Sequence, residues 1–394
     1  MSVFTAWVST SAGGLKPELI LGYCLLLLAL ISSPLRAGEP PAHALGSVDG
    51  EDWHYPLAEQ ESLESVGRRY LRSSEDWVDL VRYNALSDAF ALPPGTIVRI
   101  PLKWLKHAPR PAVLAEVAGT VWIYRRGEPR RRAATPGVKL NVGDRIKVEE
   151  GSARVHFEDG SRLSLGPKAD VDFNQLRFYG DSGMVDTRLR LRSGRIKSEV
   201  RDRVGPEGRY EIQTRDVTAA VRGTVFVLEQ TEIGSRIEVL EGLITLRTRG
   251  IGIEGSEVRV SAGAGASVSS TEGISTRQLP SIAALSISRA GGADGAPAVA
   301  SWSEDSSHSL VRYRIMFRGL ADDQAYKLLD TGISDSNRLR LPTEADGVYR
   351  LVLQVVDKAG FRGVPQQFEF RVDSKAPRQF ELRLSSRSPD RTSL

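Results

Sequence analysis

The sequence predicts a multidomain protein that is mainly β. From Val113 to about Leu279, short β-branched segments alternate with Gly, Pro and Asp-Gly turn signals, a pattern typical of a sandwich, a barrel or a stacked β-roll. About seven further segments between residues 281 and 373 fit a β-sandwich. Only residues 52–106 depart from this pattern, because helical spacing there lies between two short strands.

A thirteen-residue apolar run from Leu19 to Ile31 follows Lys16 near the start of the chain. A membrane-spanning helix needs about 20 apolar residues, whereas the apolar part of a secretory signal needs roughly 7–15. We therefore predict a signal peptide over residues 1–37 and a Pro-, Ala- and Gly-rich linker over residues 38–51. A short uncleaved anchor is the alternative, and cleavage would leave no stable membrane span. Both place the rest of the chain in the periplasm or cell envelope of a Gram-negative bacterium.

Composition and motifs argue against catalysis. Cys24, the only cysteine, lies in the apolar run, so the exported part has no disulfide and no thiol nucleophile. None of the five histidines forms a pair at metal-ligand spacing, and no Gly-x-Ser-x-Gly elbow or phosphate loop is present. We expect no enzyme, no metal and no cofactor. A net charge of +4 suggests weak attraction to anionic envelope polymers rather than to nucleic acid.

The first module has the order strand, helix, helix, strand. Trp53 and Tyr55 alternate in the first strand, and Ser62 is the expected N-cap of the first helix. The module resembles a LysM domain, the small glycan-binding unit of cell-wall enzymes, in its aromatic strand, its turn at residues 60–63, and the closing Pro-Gly and Ile-Pro pairs. Gln60 replaces the glycine that is usual in that family.

The resemblance implies a groove between two loops that binds peptidoglycan or a related N-acetylated glycan. The alternative is a spacer or a protein contact. The residues implied in glycan binding are Gln60, Glu61, Ser62, Asn84, Leu92, Pro93, Pro94 and Gly95.

Residues 111–279 form the second predicted domain. Arginines alternate with aliphatic residues from Arg188 to Arg192, which predicts one buried and one basic face. The region resembles the extracytoplasmic FecR domain in the order of its motifs, above all in the segment from Val221 to Phe226. We expect structural roles in turns and close strand approaches for Gly119, Gly143, Asp144, Asp159, Gly160, Arg222, Gly223, Thr224, Glu241 and Gly242.

The last predicted domain covers residues 281–373 and resembles an immunoglobulin-like or fibronectin type III-like sandwich. Its inward candidates include Trp302, Tyr313 and Tyr349. Residues 374–394 are rich in Ser, Arg, Lys and Pro, a composition that predicts disorder.

An arginine-rich segment is the one charged cluster with two interpretations. A solvated surface loop is the default, and an anion-binding patch for cell-wall carboxylates, lipopolysaccharide phosphates or an acidic partner is the alternative. The residues are Arg125, Arg126, Arg130, Arg131 and Arg132.

Together these features predict an exported, non-catalytic scaffold or tether that binds peptidoglycan through the LysM-like module and an envelope protein through its β domains. The first alternative is a periplasmic FecR-type sensor or signalling component without a cytoplasmic anti-sigma domain of its own. An unrecognised carbohydrate-active enzyme is the second alternative, which the absence of an evident acid pair disfavours.

Overall fold

The computed structural model describes residues 47–49, 51–73, 76–90, 92–201, 208–249, 257–269, 271–289, 298–304, 308–319, 325–343, 345–372 and 382–385. The predicted signal segment and its cleavage region lie outside these residues. Neither of the two α-helices in the described ranges is long and apolar enough to cross a membrane.

The first module is a three-stranded antiparallel sheet with two helices between its second and third strands. Trp53, Tyr55, Val98 and Ile100 point into its core, because alternate residues of these paired strands face the helices. Ser62 caps the first helix as predicted. The elements are β1 (Ser47–Asp49), β2 (Asp52–Pro56), α1 (Leu63–Tyr70), α2 (Trp77–Tyr83) and β3 (Ile97–Pro101).

A single sheet of fourteen strands forms the second domain. The first seven strands are β4 (Ala108–Pro109), β5 (Ala112–Tyr124), β6 (Arg131–Ala133), β7 (Lys139–Leu140), β8 (Arg145–His156), β9 (Arg162–Leu165) and β10 (Asp170–Tyr179). The other seven are β11 (Met184–Glu199), β12 (Arg209–Gln213), β13 (Val217–Gln230), β14 (Ser235–Thr248), β15 (Glu257–Ser261), β16 (Ala264–Ser269) and β17 (Gly273–Gln278).

The path through this sheet runs β17-β16-β14-β13-β12-β11-β10-β8-β5-β6. The remaining strands pair beside it, and β9 joins both β8 and β11, so the sheet folds over a shared core. Leu189 and Leu191 are fully buried while Arg190 and Arg192 are exposed, which confirms the predicted buried and basic faces.

Two sequence signals of a turn lie inside long strands. Ser193-Gly194 lies within β11, next to a register shift at Arg192, and Glu241-Gly242 lies within β14 at a register shift, so a turn prediction at either pair is wrong. A glycine with positive φ bends a strand without ending its ladder, and sequence pattern alone does not separate that role from a turn. The turns at Gly143-Asp144 and Asp159-Gly160 are confirmed.

The last domain is a sandwich of a three-stranded and a five-stranded sheet, in the orders β18-β19-β22 and β21-β20-β23-β24-β25. The strands are β18 (Ile282–Arg289), β19 (Ala298–Glu304), β20 (His308–Gly319), β21 (Lys327–Ser334), β22 (Arg338–Leu341), β23 (Gly347–Asp357), β24 (Gln366–Val372) and β25 (Leu382–Ser385).

Tyr349 is buried near the start of β23, and its hydroxyl donates to the Ala345 carbonyl oxygen at 2.9 Å. This contact has the geometry of the tyrosine corner that occurs in immunoglobulin-type sandwiches, and the immunoglobulin-like or fibronectin type III-like assignment stays a prediction. One expectation here is wrong. Strand β25 lies in the tail that was predicted to be disordered. It forms because its backbone pairs with β24, and the polar composition of the tail does not indicate that pairing.

Candidate functional site

The two predicted glycan loops lie side by side. Leu57 holds them together, since its N–H donates to Thr96 O at 3.0 Å and its carbonyl accepts from Gly95 N at 2.8 Å. Pro93, Pro94 and Gly95 are exposed in the second loop. The structure therefore brings Gln60–Ser62 and Leu92–Gly95 to one edge of the module.

Gln60 adopts φ +63°, the left-handed conformation that glycine reaches without strain. Its side chain is exposed, so the position keeps the backbone shape of a glycine turn while adding a side chain at the loop surface. Gln60 therefore differs from the usual glycine by adding a side chain and backbone strain, while the path of the backbone is the same.

Glu61 and Ser62 are engaged by their own turn. Glu61 Oε2 accepts from the Tyr55 hydroxyl at 2.7 Å and from Ala58 N at 3.1 Å. Burial, together with the hydrogen bond to this carboxylate, raises the pKa of Tyr55 well above its usual value. Ser62 Oγ accepts from Ser65 N at 3.2 Å, while Ser65 Oγ accepts from Ser62 N at 3.0 Å.

Asn84 connects the end of α2 to β3. Its amide donates to Leu80 O at 2.9 Å and to Arg99 O at 2.8 Å, and its Oδ1 accepts from Arg99 N at 2.8 Å. These bonds give Asn84 a structural role, and its predicted glycan contact stays a prediction.

An aromatic pair in this module was not singled out from the sequence. Phe90 is 87% exposed, and its ring lies 6.2 Å from that of Trp77 in an edge-to-face arrangement. Asp88 fixes the loop by accepting from Phe90 N at 2.8 Å. An isolated aromatic among Ser, Asp and Ala was the available signal.

The first module is fused to the central sheet. Tyr179 and Met184 of the second domain are buried in the core of the first. Lys106 N donates to Tyr70 O at 2.8 Å, and Arg209 pairs with Glu51 at 3.1 Å. The predicted glycan loops adjoin the Ser62 end of α1. The Tyr70 end, which contacts the central sheet, lies about 12 Å away along this eight-residue helix.

The arginine-rich segment is largely neutralised. Arg125 pairs with the buried Asp144 and also donates to Lys139 O at 2.7 Å. Arg131 pairs with Glu149 at 2.9 Å and lies 4.1 Å over the Trp122 ring.

The rest of the segment lies at the surface. Arg132 pairs with Glu128 at 2.7 Å. Arg126 and Arg130 are exposed, and neither guanidinium has an ion-pair partner among the described residues. Arg131 and Arg132 belong to strand β6, which corrects the expectation of an uninterrupted loop.

Asp144 and Asp159 both accept hydrogen bonds from the backbone of their own turns. Asp144 accepts from Asn141 N at 2.7 Å and from Arg126 N at 3.3 Å. Asp159 accepts from Ser161 N and from Ser161 Oγ, both at 2.9 Å, beside Gly160.

The other predicted motif residues lie at two places where neighbouring antiparallel strands approach closely. Gly119 lies opposite Gly151 between β5 and β8. At the second close approach, between β13 and β14, a Cβ on Gly242, whose φ is +80°, would lie 2.7 Å from Gly223 O. The Thr224 hydroxyl stabilises this close approach, because it lies within hydrogen-bond distance of Arg222 O at 2.7 Å and of Leu243 O at 3.0 Å. Glu241 lies in the same segment of β14.

The joint between the central sheet and the sandwich was not foreseen. Phe361 is buried, and the guanidinium groups of Arg236 and Arg277 lie 5.3 and 5.1 Å from its ring centre. Arg277 also pairs with Asp357 at 3.1 Å, and Arg362 N donates to Glu238 Oε1 at 3.0 Å. These partners are far apart in sequence.

A cleft of about 870 Å³ opens beside this joint. One wall comes from strands β5, β8, β9, β11, β13 and β14 of the central sheet, and the other from β20, β21, β23 and the segment after β23. Among the described residues, no cluster of three or more His, Cys, Asp or Glu side chains is arranged to hold a metal ion.

Comparison with known proteins identifies the central region. Residues 144–245, which run from the start of β8 into β14, match the family described as FecR protein, so the chain carries a FecR domain there. No curated protein matches the chain.

Two crystal structures of a candidate anti-sigma factor from Parabacteroides distasonis ATCC 8503 share 17% identity with this chain. Each match covers 34% of this chain and 59% of that protein, with a TM-score of 0.28. Similarity at this level is local and establishes no shared overall fold.

Proposed function

We propose that this protein is a non-catalytic, FecR-type sensor or signalling component of the cell envelope. The observation that carries the proposal is the match of residues 144–245 to the FecR family, located in the sheet onto which both flanking modules dock. A partner that binds either flanking module therefore acts on residues that contact the FecR domain directly.

We infer that occupancy reaches the FecR domain through the docking contacts between the modules. Tyr179 and Met184 lie on β10 and next to it at the start of β11, so a change in the first module bears directly on the sheet. Phe361 and Arg362 provide the corresponding contact on the side of the sandwich. The partner is an envelope protein, and the signal passes onward through it.

Gene deletion followed by complementation tests this role. A signalling component should alter the transcription of a defined gene set, and the wild-type chain should restore that set. Gly242→Val should fail to restore it, because a branched side chain clashes with Gly223 O and with Thr224 at the close approach of β13 and β14. Glu128→Ala, at an exposed ion pair, is the matched control and should complement. Loss of envelope integrity with unchanged transcription would leave a scaffold instead.

Peptidoglycan binding is a second candidate, favoured by the adjacent loops and by the glycine-like backbone of Gln60. The assay is pelleting of the full-length protein with purified peptidoglycan, because Tyr179 and Met184 complete the core of the module. Binding through backbone amides and apolar contact should survive moderate salt.

Two variants separate the sources of pelleting. Phe90→Ala should weaken binding through the module, since it removes an exposed aromatic face. Arg126→Ala/Arg130→Ala should leave such binding unchanged. Pelleting that disappears in moderate salt and needs these two arginines would assign it to electrostatic attraction instead.

A further inference from the structure

The cleft between the central sheet and the sandwich lies outside the sites considered so far. Its volume of about 870 Å³ falls within the roughly 300–1,000 Å³ typical of small-ligand sites. Its walls come from two domains, so an occupant would contact both.

Positive charge exceeds negative charge in the cleft walls. Six basic side chains face three acidic ones: Arg154, Arg195, Lys197, Arg312, Arg314 and Arg362 against Glu116, Glu199 and Glu241.

Three of the basic groups already have carboxylate partners. Arg154 pairs with Glu116 at 2.7 Å, and Lys197 pairs with Glu199 at 3.1 Å. Arg195 pairs with the buried Glu238 at 2.6 Å. The carboxylates nearest these groups are therefore largely committed.

Arg312 and Arg362 differ from these groups, because neither guanidinium has an ion-pair partner within the described part of the chain. Burial, together with the like charges of the neighbouring Arg195 and Arg312, lowers the pKa of Arg362 to about 10. Glu238 and Glu229 oppose this shift by a smaller amount. Both side-chain oxygens of Glu238 already accept from the Arg195 guanidinium. A partly buried guanidinium without an ion pair of its own is costly, and a bound anion would offset that cost.

The remaining cleft walls combine apolar side chains with the polar Ser152, Ser164, Thr331 and Gln354. Val225 and Val227 contribute from the central sheet, and Val352, Val364 and Pro365 from the sandwich. A fully hydrated inorganic ion would leave these surfaces uncovered. A ligand with both an anionic head and an apolar body would satisfy both kinds of wall.

We propose that the cleft binds a small amphiphilic anion, a carboxylate or phosphate monoester with an apolar chain, whose head lies between Arg312 and Arg362 and whose chain lies against the valines. The guanidinium fork suits the planar oxygen pairs of such heads. The proposal goes beyond the signalling role and does not depend on it, since anion binding requires no protein partner.

Isothermal titration of the full-length protein with three probes tests the proposal. Octyl phosphate should bind at least about tenfold more tightly than inorganic phosphate, and octanol should show no measurable binding. Arg312→Ala and Arg362→Ala should each weaken octyl phosphate binding by about tenfold, the effect of losing one charge-assisted hydrogen bond. Arg312→Lys should retain part of the affinity, because it keeps the charge.

Arg130→Ala is the matched control, since Arg130 is an exposed arginine without a carboxylate partner in the described residues, and it should not change the affinity. Equal weakening by Arg130→Ala would overturn the site. Octanol that binds as tightly as octyl phosphate would overturn the role of the arginines. Inorganic phosphate that binds as tightly would overturn the amphiphilic ligand. Circular dichroism of each variant verifies folding. Arg312→Ala and Arg312→Lys are the decisive variants, because Arg312 is exposed and its replacement should not disturb the fold.

Discussion

Two groups of arginines behave in opposite ways. The segment from Arg125 to Arg132 is dense in sequence, yet three of its five arginines meet carboxylates from adjacent strands or turns. Arg312 and Arg362 lie fifty residues apart, yet they converge beside Arg195 with no carboxylate of their own in the described structure. A run of like charges therefore does not identify an anion site. The balance of counter-charges around each guanidinium does.

The largest expected effect concerns Asp144, which is buried and holds Arg125 together with the Asn141 turn. Asp144→Ala should lower the free energy of unfolding by about 3–5 kcal/mol, the loss seen when one partner of a buried ion pair is removed. Denaturant unfolding measures it. Glu128→Ala removes the partner of the exposed Arg132 and should cost under about 1 kcal/mol. Equal losses would contradict the contrast between buried and exposed pairs.

Replacing one arginine of each group by methionine should change stability with opposite signs. Arg125→Met leaves Asp144 without its counter-charge and should destabilise by about 2–3 kcal/mol. Arg362→Met removes a partly buried charge that repels Arg195 and Arg312, and should be neutral or stabilising by about 1 kcal/mol. Thermal melting of both variants at neutral pH tests this. A destabilised Arg362→Met would show that the charge is compensated.

The pH dependence of the Arg362→Met effect sharpens the comparison. The pKa of Arg362 is about 10 when folded, well below the ordinary value of an arginine, so between these two values the unfolded chain binds more protons and stability rises with pH. The advantage of Arg362→Met should be complete below about pH 10 and shrink above it. Melting curves at about pH 9 and about pH 11 compare the variant with the wild type. A constant difference would indicate an unshifted pKa.

The smallest effect is expected at the exposed end of the arginine-rich segment. Arg126→Ala/Arg130→Ala should reduce pelleting with an anionic polymer such as heparin-coated beads by no more than about threefold at physiological salt, because exposed charges are screened beyond about 8 Å. Arg312→Ala should leave this pelleting unchanged. A loss of tenfold or more in the double variant would restore the anion-patch interpretation of the segment.

Local chemistry made much of the fold predictable. Ser62 caps its helix as its position before Leu63 indicates. Asp144 and Asp159 bind the backbone of their own turns, because a short carboxylate reaches N–H groups two or three residues away. The FecR match at residues 144–245 agrees with the motif order around Val221 to Phe226.

Strand continuity was less predictable. Gly194 and Gly242 carry the sequence signal of a turn, yet each lies inside a long strand, at or near a shift of the strand register. Whether a glycine with positive φ ends a strand or only bends it depends on the ladder on either side, which comes from distant residues.

The sequence by itself determined the mainly β class, the helical module at residues 52–106, the turn carboxylates and the FecR match, because each rests on periodicity or on chemistry within a few residues. Only the tertiary structure decided that Tyr179 and Met184 complete the core of the first module, that Phe361 lies between Arg236 and Arg277, and that Arg312 and Arg362 share a cleft. These contacts join residues from separate domains. Their energies depend on burial and on the nearest opposite charge, which chain order does not encode.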